Sequence, residues 1–216
     1  MLGDPIREFK VVTVMVFSGL LAVSVTSAEI AEAPLALQGR AQGNGQGQAI
    51  AHQQKVDKGN VGYNTEQGFA FRCLIAFDLS GHLVDVEEAS KIELVTQYQW
   101  GGQSSASGWE YICLGAYDDA DFSNHTVLNW GEPDGNRYAK LGTPVGMGDP
   151  SEGKTSFGQD GRLTLEVTEA AQRSGVSVEK PYLWFRVQAA NSQEPESWGG
   201  LAAGEVHTRL RLHVGD

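Results

Sequence analysis

The chain has 216 residues, a formal net charge of −11, 41% hydrophobic and 20% charged residues. That is enough apolar material for one core and too little chain for two comfortable domains, and the negative balance sets the average field against nucleic acid and anionic membranes. Glycine is abundant, at 27 residues, and helix-period stretches are scarce, so many short strands joined by turns are predicted.

In chain order, Arg7 and Lys10 precede an uncharged apolar run from Val11 to Val25 and the small residues Thr26-Ser27-Ala28. This is the pattern of a cleaved secretory signal over residues 1–28; the run is shorter than the roughly 20 residues that cross a bilayer. No later segment could span one. The expectation is an exported protein, extracellular or periplasmic, and not membrane-embedded. Residues 29–59 read as a leader within the same domain, with a strand near Leu35 to Leu37 and then a Gly/Gln-rich loop from Gly39 to Gln48. Residues 60–216 are predicted to form a β-sandwich domain.

Arg72 to Ser80 is apolar nearly throughout and predicts the central strand of a sheet. Asp85 to Ser90 is acidic and predicted irregular. Ile92, Leu94, Thr96 and Tyr98 alternate with Glu93, Val95, Gln97 and Gln99, giving a half-buried strand that ends near Trp100. Gly101 to Gly108 makes a hairpin tip, and Trp109 to Tyr117 returns. A polar, turn-rich stretch follows from Asp118 to Gln159, with one short strand at Thr126 to Trp130. Leu163 to Val167 is a strand, and Thr168 caps a short helix from Glu169 to Ser174, stopped by Gly175. Tyr182 to Gln188 and Glu205 to Val214 complete about eight antiparallel strands with one short helix, the profile of a two-sheet sandwich.

These segments carry a family resemblance. Arg72 with Phe77-Asp78-Leu79-Ser80, the strand at Ile92, the Trp130 region, Leu165-Glu166-Val167-Thr168-Glu169-Ala170-Ala171 and Arg209-Leu210-Arg211-Leu212 resemble, in that order, the DNRLRE family of secreted modules. That family is similar to the jelly-roll modules attached to polysaccharide-degrading enzymes. Over residues 60–214 the likeness implies an all-β jelly-roll β-sandwich and an exported, polysaccharide-linked setting. The matching residues belong to core and turns, so no ligand-contacting residue carries over.

Only Cys73 and Cys113 are present. Export permits a disulfide between them that would close a long loop; the other reading is two buried thiols acting as small hydrophobes. Gly148-Asp149-Pro150-Ser151-Glu152-Gly153-Lys154-Thr155 fits the spacing of a P-loop, but Ser156 to Gly161 cannot supply the helix that the phosphate cradle needs, so no nucleotide is expected. No zinc-ligand pair or nucleophile elbow occurs, and a non-catalytic protein without cofactor is expected. Asp118, Asp119 and Asp121 are carboxylates of the kind that ligate Ca2+, although their spacing is that of an ordinary acidic turn.

The last strand places His207, Arg209, Arg211 and His213 on one face, opposite Val206, Thr208, Leu210, Leu212 and Val214. If the strand from Tyr182 lies alongside, Trp184 and Arg186 join that face, and a ring beside guanidinium groups suits a uronate-containing sugar chain. The competing reading is a solvated face whose arginines pair with glutamates such as Glu166. Trp100 and Trp198 are candidates for sugar stacking. The expected function is an exported carbohydrate-binding module, for an acidic polysaccharide; the alternative is a structural or adhesive module of an extracellular matrix.

Overall fold

The structure, a computed structural model, describes residues 29–44, 49–53, 58–64, 68–100, 109–121, 139–142, 155–157, 161–189 and 198–215. The predicted signal, the hairpin tip, the strand predicted at Thr126 to Trp130 and residues 148–154 of the P-loop-like stretch lie outside these. The described chain is all-β and antiparallel, as its alternation predicts, with thirteen strands where about eight were expected.

Two sheets face one another. One runs in the order β1 (Glu29–Ala33), β13 (Arg209–Val214), β6 (Lys91–Trp100), β10 (Arg162–Glu166) and β9 (Thr155–Phe157). The other is built on β5 (Phe69–Asp78), which pairs along one edge with β2 (Leu35–Asn44) and along the other with β11 (Tyr182–Ala189); β7 (Trp109–Tyr117) and β8 (Ala139–Gly142) follow β11, and β3 (Ala49–Gln53) follows β2. At one corner β4 (Lys58–Asn64) pairs with both β5 and β12 (Gly199–Ala202), and β12 pairs with the end of β6, so hydrogen bonding passes from sheet to sheet.

The predicted central strand is central. β5 sends Cys73, Ile75 and Phe77 into the core between the sheets, where they meet Leu183, Phe185 and Val187 of β11 and Ile92 and Leu94 of β6. The alternation along β6 is as read: Ile92, Leu94 and Thr96 are fully buried. Thr96 Oγ1 lies 3.1 Å from Tyr111 Oη, so the two hydroxyls satisfy each other inside the core.

Three local expectations are corrected. The stretch from Gly39 predicted as loop continues β2 as far as Asn44, paired along its backbone with β5, with Leu37 and Ala41 joining the apolar cluster on one face of that sheet while Gln38, Arg40 and Gln42 alternate with them. Asp85 to Ser90, predicted irregular, falls largely in helix α1 (Leu83–Glu88). A contact distant in sequence holds it: Gln172 Nε2 donates to the carbonyls of Val86 at 3.2 Å and Ala89 at 3.1 Å, and Val86 is buried. The one predicted helix is present as α2 (Thr168–Gln172), but Thr168 Oγ1 accepts from the Ile92 amide at 2.9 Å instead of capping its own helix.

The two cysteines are free, buried thiols. Cys73 lies opposite Val187 and Cys113 opposite Phe185, so all of β11 stands between them. Strands two apart in a sheet are separated by roughly 10 Å, beyond the ~7 Å between Cα atoms that a disulfide can bridge. The disulfide reading is therefore replaced by the thiol one. Burial pushes each thiol up to about 12, for Cys73 against a small opposing effect of the Gln38 amide. Neither thiol should react with an alkylating reagent in the native protein at neutral pH, and both should react in concentrated guanidinium without prior reduction. Two counts of modified cysteine by intact mass check this; native labelling of either would contradict the packing.

Candidate functional site

The two sheets differ in what lies on their outer sides. The sheet containing β5, β11 and β7 is buried on both faces, because Leu74, Ala76, Ile112, Leu114 and Trp184 form a second apolar cluster on its far side. The sheet containing β13 has the core on one face and, on the other, a mainly charged surface that also carries exposed Ile30 and buried Val95. That surface is the candidate site.

Strand alternation builds it. Leu210 and Leu212 point inward and are fully buried, which turns Arg209, Arg211 and His213 outward. Register places Glu32 of β1 and Glu93 of β6 on either side of Arg211, with Lys91 beside His213. One oxygen of Glu32 accepts from both guanidinium groups, at 3.1 Å from Arg209 Nη1 and 3.1 Å from Arg211 Nε. Glu93 lies between Lys91 Nζ at 2.6 Å and His213 Nε2 at 3.0 Å. Each carboxylate thus bridges two basic groups. Partial burial works to raise both carboxyls, but their basic partners outweigh it: Arg211 and Arg209 hold Glu32, and Lys91 and His213 hold Glu93, below the usual carboxylate range.

The sequence-predicted site residues are only partly brought together. Arg209, Arg211 and His213 share the open face as predicted. Residues 205–207 form a turn that precedes β13, so Val206 is 65% exposed instead of lying in the core, and His207 Nδ1 lies 2.6 Å from Gln97 Oε1. Trp184 and Arg186 are not on this face: β11 runs in the other sheet between β5 and β7, and both side chains are fully buried. The aromatic and guanidinium pairing expected from two neighbouring strands therefore does not form. Trp198 is half-buried near the β4 and β12 corner, its ring 5.0 Å from that of Phe71, with Arg40 over the same Phe71 ring at 5.4 Å. Trp100 closes β6 opposite Gly200, and its side chain lies outside the described residues.

Glu32 and Glu93 were not singled out from the sequence as partners of these arginines. Glu93 sat on the outward side of its predicted strand, but Glu32 fell in a stretch read as leader. The alternation of Ala31 and Ala33 around it is too weakly apolar to declare a strand.

Next to Glu32, where the chain passes from one sheet to the other at Pro34, a recess of about 270 Å3 opens between Glu32, Leu35, Glu205 and Arg209. Arg209 Nε donates to the Glu205 carbonyl at 3.1 Å, which fixes the guanidinium at its wall. Of the acidic turn, Asp119 accepts from the Asp121 amide at 3.0 Å through Oδ1, and its carbonyl accepts from Trp184 Nε1 at 3.2 Å. Thr155–Phe157, at the end of the P-loop-like stretch, is a strand paired with β10, where the phosphate cradle would need a helix. Among the described residues no group of three side chains is placed to hold a metal ion, and no helix is long and apolar enough to cross a membrane. No protein-family model matches the chain, and no curated protein is detectably similar to it.

Proposed function

We propose that the protein is an exported, non-catalytic carbohydrate-binding module whose polysaccharide ligand lies along the open face of the sheet formed by β1, β13, β6, β10 and β9. One observation carries this reading: the outer side of β1, β13 and β6 carries Glu32, Arg209, Arg211, Lys91, Glu93 and His213, held in fixed geometry by shared ion pairs. A sugar chain presents rows of hydroxyls that both donate and accept. Preset guanidinium and carboxylate groups match such rows with little loss of side-chain freedom. The polysaccharide setting itself comes from the likeness of the strand segments to DNRLRE-type modules. A glycan array run with and without calcium tests it, with the Arg209→Ala, Arg211→Ala double variant in parallel. Binding to at least one polysaccharide is expected, and the double variant should lose it with little change in Tm, since exposed ion pairs are worth about 0–1 kcal/mol. Silence across the array would sink the proposal.

The same ion pairs favour a second reading. Because Arg209, Arg211, Lys91 and His213 already have acidic partners, the face is satisfied without a ligand, as a structural or adhesive module of an extracellular assembly would be. An empty array together with concentration-dependent self-association would establish that alternative.

A further inference from the structure

The recess beside Glu32 narrows the kind of sugar this face can take, if the polysaccharide reading above holds. Its walls combine three things. Pro34 is exposed and Leu35 half-buried, which gives an apolar patch. Glu32 and Glu205 are its two acidic residues, Glu205 exposed on the turn before β13 and holding Arg209 through its backbone carbonyl. Arg209 uses Nε on the Glu205 carbonyl and Nη1 on Glu32, which leaves Nη2 without a protein acceptor among the described residues.

Charge decides between ligands. Arg209 and Arg211 are both already committed to Glu32, and the recess itself is lined by one guanidinium, that of Arg209, and two acidic residues, Glu32 and Glu205. A uronate would have to displace Glu32 from the guanidinium it wanted, exchanging one carboxylate for another and gaining little, and it would meet Glu205 at close range. A neutral sugar disturbs no pair. Its vicinal hydroxyls can donate to the free side of a carboxylate and accept from Nη2, while its C–H face lies on Pro34 and Leu35.

We infer that the recess between Glu32, Arg209 and Glu205 is a subsite for one unit of a neutral polysaccharide, and that it discriminates against acidic ones. The inference departs from the acidic glycan expected from the sequence, because that expectation set Trp184 and Arg186 beside the arginines and did not place Glu32 between them.

The test compares retention of the full-length protein on immobilised neutral glycans (xylan, mannan and a β-glucan) and acidic ones (alginate and pectate), at low and high salt. Retention on a neutral glycan that salt leaves unchanged, falling tenfold or more in Arg209→Ala and in Glu32→Ala, is the expected result. Retention on an acidic glycan that salt abolishes overturns the neutral assignment and leaves the polysaccharide reading standing. Neutral retention untouched by either variant overturns the recess as its site. Retention on nothing defeats the polysaccharide reading itself. Should either alanine variant fail to fold, Glu205→Arg, on an exposed turn, lays a guanidinium across Glu32 and should produce the same loss; unchanged retention there also overturns the subsite.

Discussion

Trp184→Ala is expected to destabilise the protein by about 3–5 kcal/mol, the cost of deleting a large buried ring whose site can collapse only partly. The indole is fully buried and packs with Leu74, Ile112 and Leu114 on the outer side of its sheet. In register it lies between Ala76 of β5 and Gly115 of β7, so small residues on both flanking strands make room for it. Gly115 has φ of 91° at an irregularity in the β7 ladder, a backbone conformation that suits glycine there. Trp184→Phe should cost less, because it keeps most of the apolar area and loses mainly the hydrogen bond to the Asp119 carbonyl. Urea unfolding with constant m-values measures both. A loss below about 0.5 kcal/mol for Trp184→Ala would be a surface residue's response and would contradict the buried position.

Gly59→Ala is the second large effect. A Cβ at Gly59 would clash with Cys73 Sγ and stand 3.1 Å from Cys73 Cβ and 3.3 Å from Gln38 Nε2. Cys73 is fully buried, and Gln38 is anchored to the Ala202 carbonyl at 3.2 Å, so neither neighbour can retreat without disturbing the corner where the sheets join. Overpacking of this kind costs about 1–3 kcal/mol. The worst conflict is with the sulfur, while the approaches to Cys73 Cβ and Gln38 are milder, so in a Cys73→Ala background most of the Gly59→Ala penalty should vanish. Purely additive unfolding energies for the four members of the cycle would show that the clash is relieved elsewhere.

Strands marked by a continuous apolar run, by alternation or by a flanking turn were legible in the sequence, and β5, β6, β7 and β11 lie within a few residues of where those signals put them. Two kinds of element were not. β2 alternates glycine and alanine with glutamine and arginine, a pattern that composition reads as loop and that becomes a strand only through its long pairing with β5. α1 is short and acidic, and depends on Gln172 from a distant helix to satisfy its carbonyls. The site was legible in part for the same reason. The outward set on β13 follows from local alternation, while the identity of its neighbours is a property of topology. Reading β11 as the partner of β13 brought Trp184 and Arg186 to a face they do not reach, and hid Glu32, which does reach it.

The antiparallel pairing of β1 with β13 sets Glu29 directly across from Val214. The chain therefore enters β1 and ends β13 side by side, at one end of the same ladder. Tension applied through both points would open that ladder one rung at a time, like a zip, where strands pulled in shear would have to break all rungs together. The Glu32 clasp on Arg209 and Arg211 sits only a few rungs in, so it would be among the first contacts to feel such a load.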